Sequence, residues 1–247
     1  MRTGNGRRVM TAESPDATEA GAGQPPARVP RRGAASRPYR GVVHRVLKPP
    51  VRFVLNQIVM RVTLQGLEHV PATGPVIFAG NHSSLLDGPL VVIESPRTVR
   101  CLVKSEMYGG ILGMLLTIAG QIPVDRGRPD RAALHTALDE LGRGGVIGVF
   151  PEGTRGTGEL ETVQHGIAYL AVHGRCPVLP VACIDTARAL PKGARWPRRS
   201  VPTRVVFGRP FDVVVPANPR SRRALAAVAE DIRLRIADHL VRARLPS

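Results

Sequence analysis

A histidine and an aspartate five residues apart, His82 and Asp87, are the side chains of this sequence best suited to chemistry. They follow the apolar run 75–78, which predicts a short buried strand that Gly80 ends. Imidazole titrates near neutrality, so a neutral His82 could accept a hydroxyl proton while the carboxylate fixes its tautomer. On a regular helix this spacing separates the two side chains by about 140°, so they meet only if the backbone turns between them.

Two other interpretations of the same stretch stay open. Asn81 or Ser83 could be the N-cap of a helix with His82 at its edge, because a lone His and Asp at this spacing is a weak signal. His82 and Asp87 could also be metal ligands in a hydrolase. We expect no metal, because no further ligands cluster with the pair.

Length and composition limit the fold and its partners. The chain has 247 residues, enough for one α/β domain with a sizeable core plus tails. Its net charge of +16 favours a partner that presents phosphates, such as anionic lipid, nucleic acid or an anionic cofactor. Only 4% of residues are aromatic and no basic patch alternates with stacking rings, so we expect no nucleic-acid partner. The three cysteines lack a CxxC spacing, which fits a reducing, cytosolic setting without disulfide framework or zinc site.

The sequence before the domain divides into a tail and an amphipathic segment. Residues 1–38 are rich in Ala, Gly, Pro and Arg, which predicts a disordered basic tail, and they lack the apolar core of a secretory signal. In residues 39–65, valines and leucines are interspersed with cations, and Pro49 and Pro50 should split them into two amphipathic helices. These helices could lie at a membrane interface or cover the core of the domain. The charge-free run 107–124 contains four glycines, so we expect a buried or interfacial segment rather than a transmembrane helix.

The pattern of apolar runs in residues 66–247 predicts the folded domain, with a mostly parallel or mixed central sheet flanked by helices. The N-terminal amphipathic pair would precede this single α/β domain. Ligands of open α/β sheets bind at the carboxyl ends of the strands. The expected strands after 75–78 are 99–104, 120–124, 146–150, 178–184 and two short ones within 204–215, and the expected helices are 111–119, 130–141, 161–173 and 221–242.

Charged residues follow two of these strands. Arg126 comes after the strand 120–124, and its planar guanidinium suits phosphate, although a surface pair with Asp125 or Asp130 would look the same. Lys104 ends the strand 99–104, where it could meet an anionic substrate, although an ordinary surface lysine is the simpler account.

A third strand, 146–150, presents a polar tetrapeptide. Gly153 lets backbone approach a ligand, and Thr154 offers a hydroxyl. Glu152 and Arg155 can hold polyol hydroxyls and phosphate. This stretch therefore predicts a binding site for a phosphorylated polyol.

Four stretches, taken together in order and spacing, resemble the motif blocks of the glycerolipid acyltransferase family, whose best-known members are the 1-acylglycerol-3-phosphate acyltransferases. The resemblance covers about residues 64–182. The stretches are NHSSLLD at 81–87, GQIPVDRG at 120–127, VFPEGTRG at 149–156 and CPVLPVA at 176–182.

The resemblance implies acyl transfer from acyl-CoA or acyl carrier protein to the free hydroxyl of 1-acylglycerol 3-phosphate, giving phosphatidic acid in phospholipid biosynthesis. No cofactor besides the acyl donor is implied. His82 and Asp87 would be the base and its orienter, and Arg126 with residues 152–155 would bind the glycerol and phosphate of the acceptor. We expect the protein at the cytoplasmic face of the cell membrane, peripheral or monotopic, against an anionic lipid surface.

Further residues are possible members of this site. Asn81 and Lys104 adjoin strand ends, and Pro180 belongs to an apolar wall that could line the acyl chain. The backbone amides of residues 80–84 are candidate donors to the oxyanion. A serine nucleophile at position 83 or 84 is the less simple mechanism, because no Gly-x-Ser-x-Gly motif lies near the histidine.

The sequence departs from the family pattern in two places. Gly156 stands where members commonly have serine, and Val-Gln-His at 163–165 replaces the Phe-Lys pair before Gly166. Because that lysine is missing, another lysophospholipid, glycerol 3-phosphate or a lipid without phosphate stays open as the acceptor. A non-catalytic, basic, peripheral membrane-binding protein stays open as a different class.

Overall fold

Seven short runs of the sequence pair into one sheet. The computed structural model describes Met1, Tyr39 and residues 41–125, 130–152 and 165–245. In chain order the strands are β1 (Arg61–Gln65), β2 (Val76–Gly80), β3 (Val99–Lys104), β4 (Ile122–Val124), β5 (Val146–Val149), β6 (Val178–Ile184) and β7 (Pro202–Phe207). The α-helices are α1 (Val42–Val54), α2 (Asp87–Glu94), α3 (Gly110–Ile118), α4 (Arg131–Gly142), α5 (His165–Gly174), α6 (Thr186–Ala189) and α7 (Arg222–Arg244).

The strand order is β1-β7-β6-β2-β5-β3-β4. Every pairing is parallel except that of β6 with β7, so β1 and β7 run against the other five strands. This mixed, mostly parallel sheet with flanking helices confirms the predicted fold class. The carboxyl ends of β6, β2 and β5 lie side by side near the middle of the sheet, where three different parts of the chain can meet.

Both faces of the sheet are covered. On one face Ile77 and Ala79 of β2 join a core with α4, α5 and α7, and on the other Val76 and Phe78 join a core that includes residues of α2. All five residues of β2 are therefore buried, as expected for a parallel strand between two helical layers. The carboxyl end of β2 is thus a rigid base for the turn that carries His82.

The prolines in the N-terminal segment do not split it, so the predicted helical pair is wrong. One α-helix runs through Pro49 and Pro50 and continues into a π-helical turn at Leu55–Val59. Lys48 before the prolines donates to the carbonyls that follow α2, and Arg52 after them pairs with Glu94. These tertiary contacts hold the helix together across the two missing N–H donors.

Two other boundaries differ from the predictions. Residues 61–65, predicted as the end of the amphipathic helices, form β1 and pair in parallel with β7. In the stretch 204–215 only β7 is a strand, and Phe211 adds a single bridge to Val178. The strands 99–104 and 178–184 are confirmed at the predicted residues.

Candidate active site

Asn81 continues the bonding of the sheet with its side chain directly after β2. Its Nδ2 donates to the carbonyl of Cys183 at 3.0 Å, and its Oδ1 accepts from the Cys183 amide at 2.8 Å. Asn81 is buried, so both bonds are shielded from water. The backbone leaves the sheet here while staying fixed to β6, and His82 follows on this anchored turn.

Asp87 organises the turn that brings it to His82. Its Oδ2 accepts from the amides of Ser83 at 2.8 Å and Ser84 at 2.7 Å, and lies 3.2 Å from His82 Nδ1. A carboxylate only accepts, so Nδ1 of the neutral ring donates and Nε2 keeps its lone pair. The predicted meeting of the two side chains is confirmed. The alternative of a helix capped by Asn81 or Ser83 is wrong, because α2 begins at Asp87.

Thr186, which the sequence analysis missed, holds the other oxygen of Asp87. Its hydroxyl donates to Oδ1 at 2.5 Å, and the two side chains are completely buried. Thr186 also lies 3.1 Å from the hydroxyl of Ser83. The preceding residue, Asp185, takes a left-handed conformation with φ 60°, which turns the chain out of β6 toward Asp87. The only sequence signal was its position two residues after a strand's end.

The end of β5 forms the second wall of the site. The ring of Phe150 lies 4.7 Å from that of His82, centroid to centroid. Gly80 makes room for it, since a Cβ at Gly80 would stand 3.0 Å from the Phe150 ring. Two residues further on, Glu152 Oε1 accepts from the backbone amide of His82 at 3.0 Å. The structure thus brings Glu152, a predicted acceptor-binding residue, directly beside the histidine.

The backbone amides expected to stabilise an oxyanion are already engaged. The His82 amide binds Glu152, and those of Ser83 and Ser84 bind Asp87. The expectation is therefore wrong for these three groups. The hydroxyl of Ser83 faces Thr186, and that of Ser84 donates to a backbone carbonyl at 3.4 Å. Neither hydroxyl is hydrogen-bonded to the imidazole, so neither is activated as a nucleophile.

The cysteines are not activated either. Burial raises the pKa of Cys101 and of Cys176 to about 12. Burial also raises the pKa of Cys183 well above its ordinary value, and the nearby Asp87 carboxylate adds to that rise. The reactive thiolate form is thus disfavoured at neutral pH. Within residues 41–125, 130–152 and 165–245, no three His, Cys, Asp or Glu side chains come together as a metal site.

Other predicted site residues lie in ordinary surroundings or outside the described part of the chain. Lys104 ends β3 and forms an ion pair with Glu106 at 2.9 Å. Pro180 is buried within β6, opposite Ala79 of β2. The remaining predicted binding residues, Arg126, Gly153, Thr154 and Arg155, lie outside the described residues, and their roles stay predictions.

The fold and the site together indicate the class of protein, because a mostly parallel sheet carries a histidine–aspartate turn at the carboxyl ends of its strands. The acyltransferase family matches residues 61–184, half of the chain, and the chain belongs to this family. The resemblance seen in its motifs is thereby confirmed.

Individual proteins to which the chain is similar carry more specific names than the family. The chain is similar to 1-acyl-sn-glycerol-3-phosphate acyltransferase of Bacillus subtilis, 26% identical over 193 residues that cover 75% of this chain and 94% of the relative. It is 32% identical over 128 residues to 1-acyl-sn-glycerol-3-phosphate acyltransferase alpha of Mus musculus, covering 49% of this chain and 45% of that relative. The chain thus spans less than half the length of the mouse protein and half that of a chloroplast relative from Arabidopsis thaliana.

A solved structure shares the fold. The crystal structure of the 1-acyl-sn-glycerophosphate (LPA) acyltransferase PlsC from Thermotoga maritima superposes with a TM-score of 0.60 and 25% identity. The superposition covers 83% of this chain and 82% of that chain.

Proposed function

We propose that this acyltransferase moves a fatty acyl group from a thioester donor to the free hydroxyl of 1-acylglycerol 3-phosphate, giving phosphatidic acid. The observation that carries the proposal is the hydrogen bond from His82 Nδ1 to Asp87, which leaves Nε2 as a proton acceptor. The backbone amide of the same histidine binds the Glu152 carboxylate. The names of the relatives described above support this acceptor.

The proposed reaction is direct transfer without an acyl-enzyme. His82 Nε2 takes the proton of the acceptor hydroxyl as its oxygen attacks the thioester carbonyl carbon. The buried Asp87 carboxylate stabilises the imidazolium that forms. The C–S bond then breaks, the thiolate takes the proton from Nε2, and an ester and a free thiol are released. No cofactor other than the acyl donor is needed.

The acceptor would be held by the loops that follow β4 and β5. Arg126 and Arg155 are the proposed phosphate ligands, and Glu152 and Thr154 the proposed partners of the glycerol. Glu152 supports this arrangement because its carboxylate already touches the His82 backbone. The missing lysine before Gly166 keeps other acceptors as candidates. Acyl-CoA is the proposed donor, with acyl carrier protein as the alternative.

An acceptor panel tests this proposal. Purified protein is given an acyl-CoA or, separately, an acylated acyl carrier protein. Each donor is combined with 1-acylglycerol 3-phosphate, glycerol 3-phosphate or a lysophospholipid of another headgroup, and free thiol release is followed. We expect the highest kcat/KM for 1-acylglycerol 3-phosphate. Preference for another acceptor would reassign the headgroup, and the absence of turnover with every acceptor and both donors would favour a non-catalytic membrane protein.

The base is tested by His82→Ala in the same assay. General-base catalysis contributes about 10² to 10⁴ in rate, so the barrier should rise by about 3 to 5 kcal/mol. The matched control is His135→Ala, because His135 lies exposed on α4. Near-full turnover by His82→Ala protein would remove His82 from the mechanism.

The proposed location is the cytoplasmic face of the cell membrane, as a peripheral or monotopic protein. Helix α1 supports it, because its large apolar side chains point to solvent. A helix that only covered a core would bury them. No helix of the described residues is both long and apolar enough to cross a bilayer. The exposed apolar residues of α1 are Val42, Val46, Leu47, Val51, Phe53 and Val54.

Helix α3 extends this apolar surface. Its C-terminus adjoins the start of α1, where the Tyr39 hydroxyl and His44 Nε2 donate to the carbonyls of Ile118 and Ala119, each at 3.0 Å. The two helices thus meet at their ends, and we propose that their exposed apolar side chains together form one lipid-binding side. The exposed apolar residues of α3 are Ile111, Leu112, Met114, Leu115 and Ile118.

Flotation with anionic lipid vesicles tests the location. Leu115→Asp should lower the bound fraction, because burying one such side chain is worth about 1.5 to 3 kcal/mol, or at least tenfold in partitioning. Val241→Asp on α7 is the control, since α7 packs on the opposite face of the sheet from α2 and Val241 is 61% exposed. Equal flotation of both variants would contradict the proposed side.

A further inference from the structure

The cationic face of α1 is turned toward the protein, where it lines an open cavity of about 500 Å³. The cavity lies between α1 and the segment that joins α2 to β3. Arg45, Lys48 and Arg52 line it from α1, and Arg97 lines it from the other side. Four cations therefore surround a space large enough for a small ligand.

These cations are poorly neutralised. Among the described residues, the carboxylate beside them is Glu94, whose Oε2 lies 2.8 Å from Arg52 Nε. Arg97 donates to the carbonyls of Pro71 and Gly144, which are dipoles and cancel no charge. The guanidinium of Arg45 has no ion-pair or hydrogen-bond partner within the part of the chain that the structure describes, and its backbone amide donates to the Gly41 carbonyl. An anion in the cavity would relieve this repulsion.

Lys48 is held in the wall of the cavity. Its ammonium donates to the carbonyls of Ser95 at 2.5 Å and Arg97 at 2.9 Å. Burial, and then the charge of Arg52, lower the pKa of Lys48 to about 8. The ammonium is thus preorganised, and its environment already disfavours the charge that an anionic ligand would stabilise.

The cavity also contains an acceptor without a donor. Asn56 lines it, and Asn56 Oδ1 is buried with no hydrogen-bond partner among the described residues. A ligand hydroxyl could supply the missing donor. Phe53, 65% exposed, lines the cavity next to the apolar outer side of α1.

We propose that this cavity is a second phosphate site, which binds a phosphate ester that also carries a hydroxyl group. This phosphate ester is either the headgroup of an anionic lipid or a free polyol phosphate, since both present a phosphate and a hydroxyl group. The site goes beyond the acceptor site proposed above. Helix α2 begins at the catalytic Asp87 and ends at Glu94 beside the cavity, and its eight residues separate the two places by roughly 12 Å.

Competitive amine labelling tests the proposal at one atom. The chain has three lysines, Lys48, Lys104 and Lys192, so each can be followed by mass spectrometry after trace acetylation near pH 8. Glycerol 3-phosphate and, separately, dihexanoyl phosphatidylglycerol below its micelle concentration are titrated in. We expect dose-dependent protection of Lys48, with Lys192 unchanged as the internal reference.

A pair of variants ties that protection to the cavity. Arg45→Ala should raise the ligand concentration for half-protection about tenfold, the effect of losing one charge-assisted contact. Arg223→Ala on α7, which removes the same charge elsewhere, should leave it unchanged. Protection by the lipid alone would assign the site to a headgroup, and protection by glycerol 3-phosphate alone to a free phosphate ester.

Two results would overturn the proposed phosphate site. Unchanged labelling of Lys48 with both ligands at millimolar concentration would refute the site, as would protection that Arg45→Ala does not weaken. The readout does not involve turnover. Failure of this labelling test and failure of the acyl-transfer assay are therefore separate results.

Discussion

The two carboxylates of α2 show how differently one short helix treats the same chemical group. Asp87 at its start and Glu94 at its end are both fully buried. Asp87 receives four donors, from an imidazole, a hydroxyl and two backbone amides. Glu94 has Arg52 Nε at 2.8 Å, close enough for an ion pair but without the alignment of a hydrogen bond. Burial raises the pKa of Glu94, and the charge of Arg52 opposes that rise.

The contrast separates the carboxylate with a proposed catalytic role from a structural one. The donors around Asp87 come from the turn after β2 and from the end of β6, so they fix the direction of each oxygen. The partner of Glu94 is a side chain that is 43% exposed and can move with solvent. The structure therefore fixes the orientation of the Asp87 carboxylate, whereas at Glu94 it only pairs a negative charge with a positive one.

The largest expected effect comes from removing the negative charge of each α2 carboxylate in turn. Asp87→Asn keeps an oxygen that can accept from the turn but no longer stabilises the imidazolium of His82. We expect kcat to fall by about 10² to 10⁴. Glu94→Gln, the same change at the other end of α2, should leave kcat within about twofold, because Glu94 touches no reacting group. Thiol-release assays on the two purified variants measure the difference, and equal losses would abolish the distinction.

A smaller effect is expected from Thr186→Val, which removes one donor from Asp87 without changing side-chain shape. One hydrogen bond to a charged group is worth about 1.5 to 3 kcal/mol, so unfolding in urea should show a loss of that order. We expect roughly a tenfold fall in kcat with KM for the acceptor unchanged, because Thr186 acts through Asp87. Restoration of activity by Thr186→Ser would identify the hydroxyl as the cause. A KM effect alone would instead place Thr186 against the substrate.

The smallest expected effect concerns the pH dependence of stability at Glu94. Its pKa in the folded state is raised above the ordinary value of 4.5, so its contribution to stability is present at low pH and is lost as pH rises through the folded pKa. Glu94→Gln cannot ionise. Between about pH 4 and pH 7, the melting temperature of the variant should therefore rise relative to that of the wild type. A difference that moved the other way would mean that Arg52 stabilises the carboxylate more than burial penalises it.

Local sequence patterns were enough to predict the turn that brings His82 to Asp87 and most of the sheet. His82 and Asp87 are five residues apart, and the strands around them are continuous apolar runs, so short-range signals were strong. Thr186 and Phe150 gave no such signal. Thr186 lies 99 residues from Asp87 along the chain, and only the pairing of β6 with β2 brings them together.

The failed expectations depend on contacts that form only in the folded chain. The local sequence gives the amides of Ser83 and Ser84 no acceptor, and only the folded turn brings the Asp87 carboxylate to both. Pro49 and Pro50 predicted a break, yet Lys48 and Arg52 anchor the helix on both sides of them. The sequence likewise did not predict that the apolar face of α1 points outward. An amphipathic pattern shows that a helix has an apolar and a polar face, but not which of them meets the protein.

The exposed apolar side chains of α1 and α3 have a consequence for kinetics if they rest on a bilayer as proposed. An enzyme held on a bilayer by these side chains finds its acceptor by lateral diffusion in two dimensions, while the thioester arrives from bulk water. Turnover would then follow the mole fraction of acceptor in the lipid phase, and diluting the acceptor with inert phospholipid would slow the reaction even at a constant total amount of acceptor.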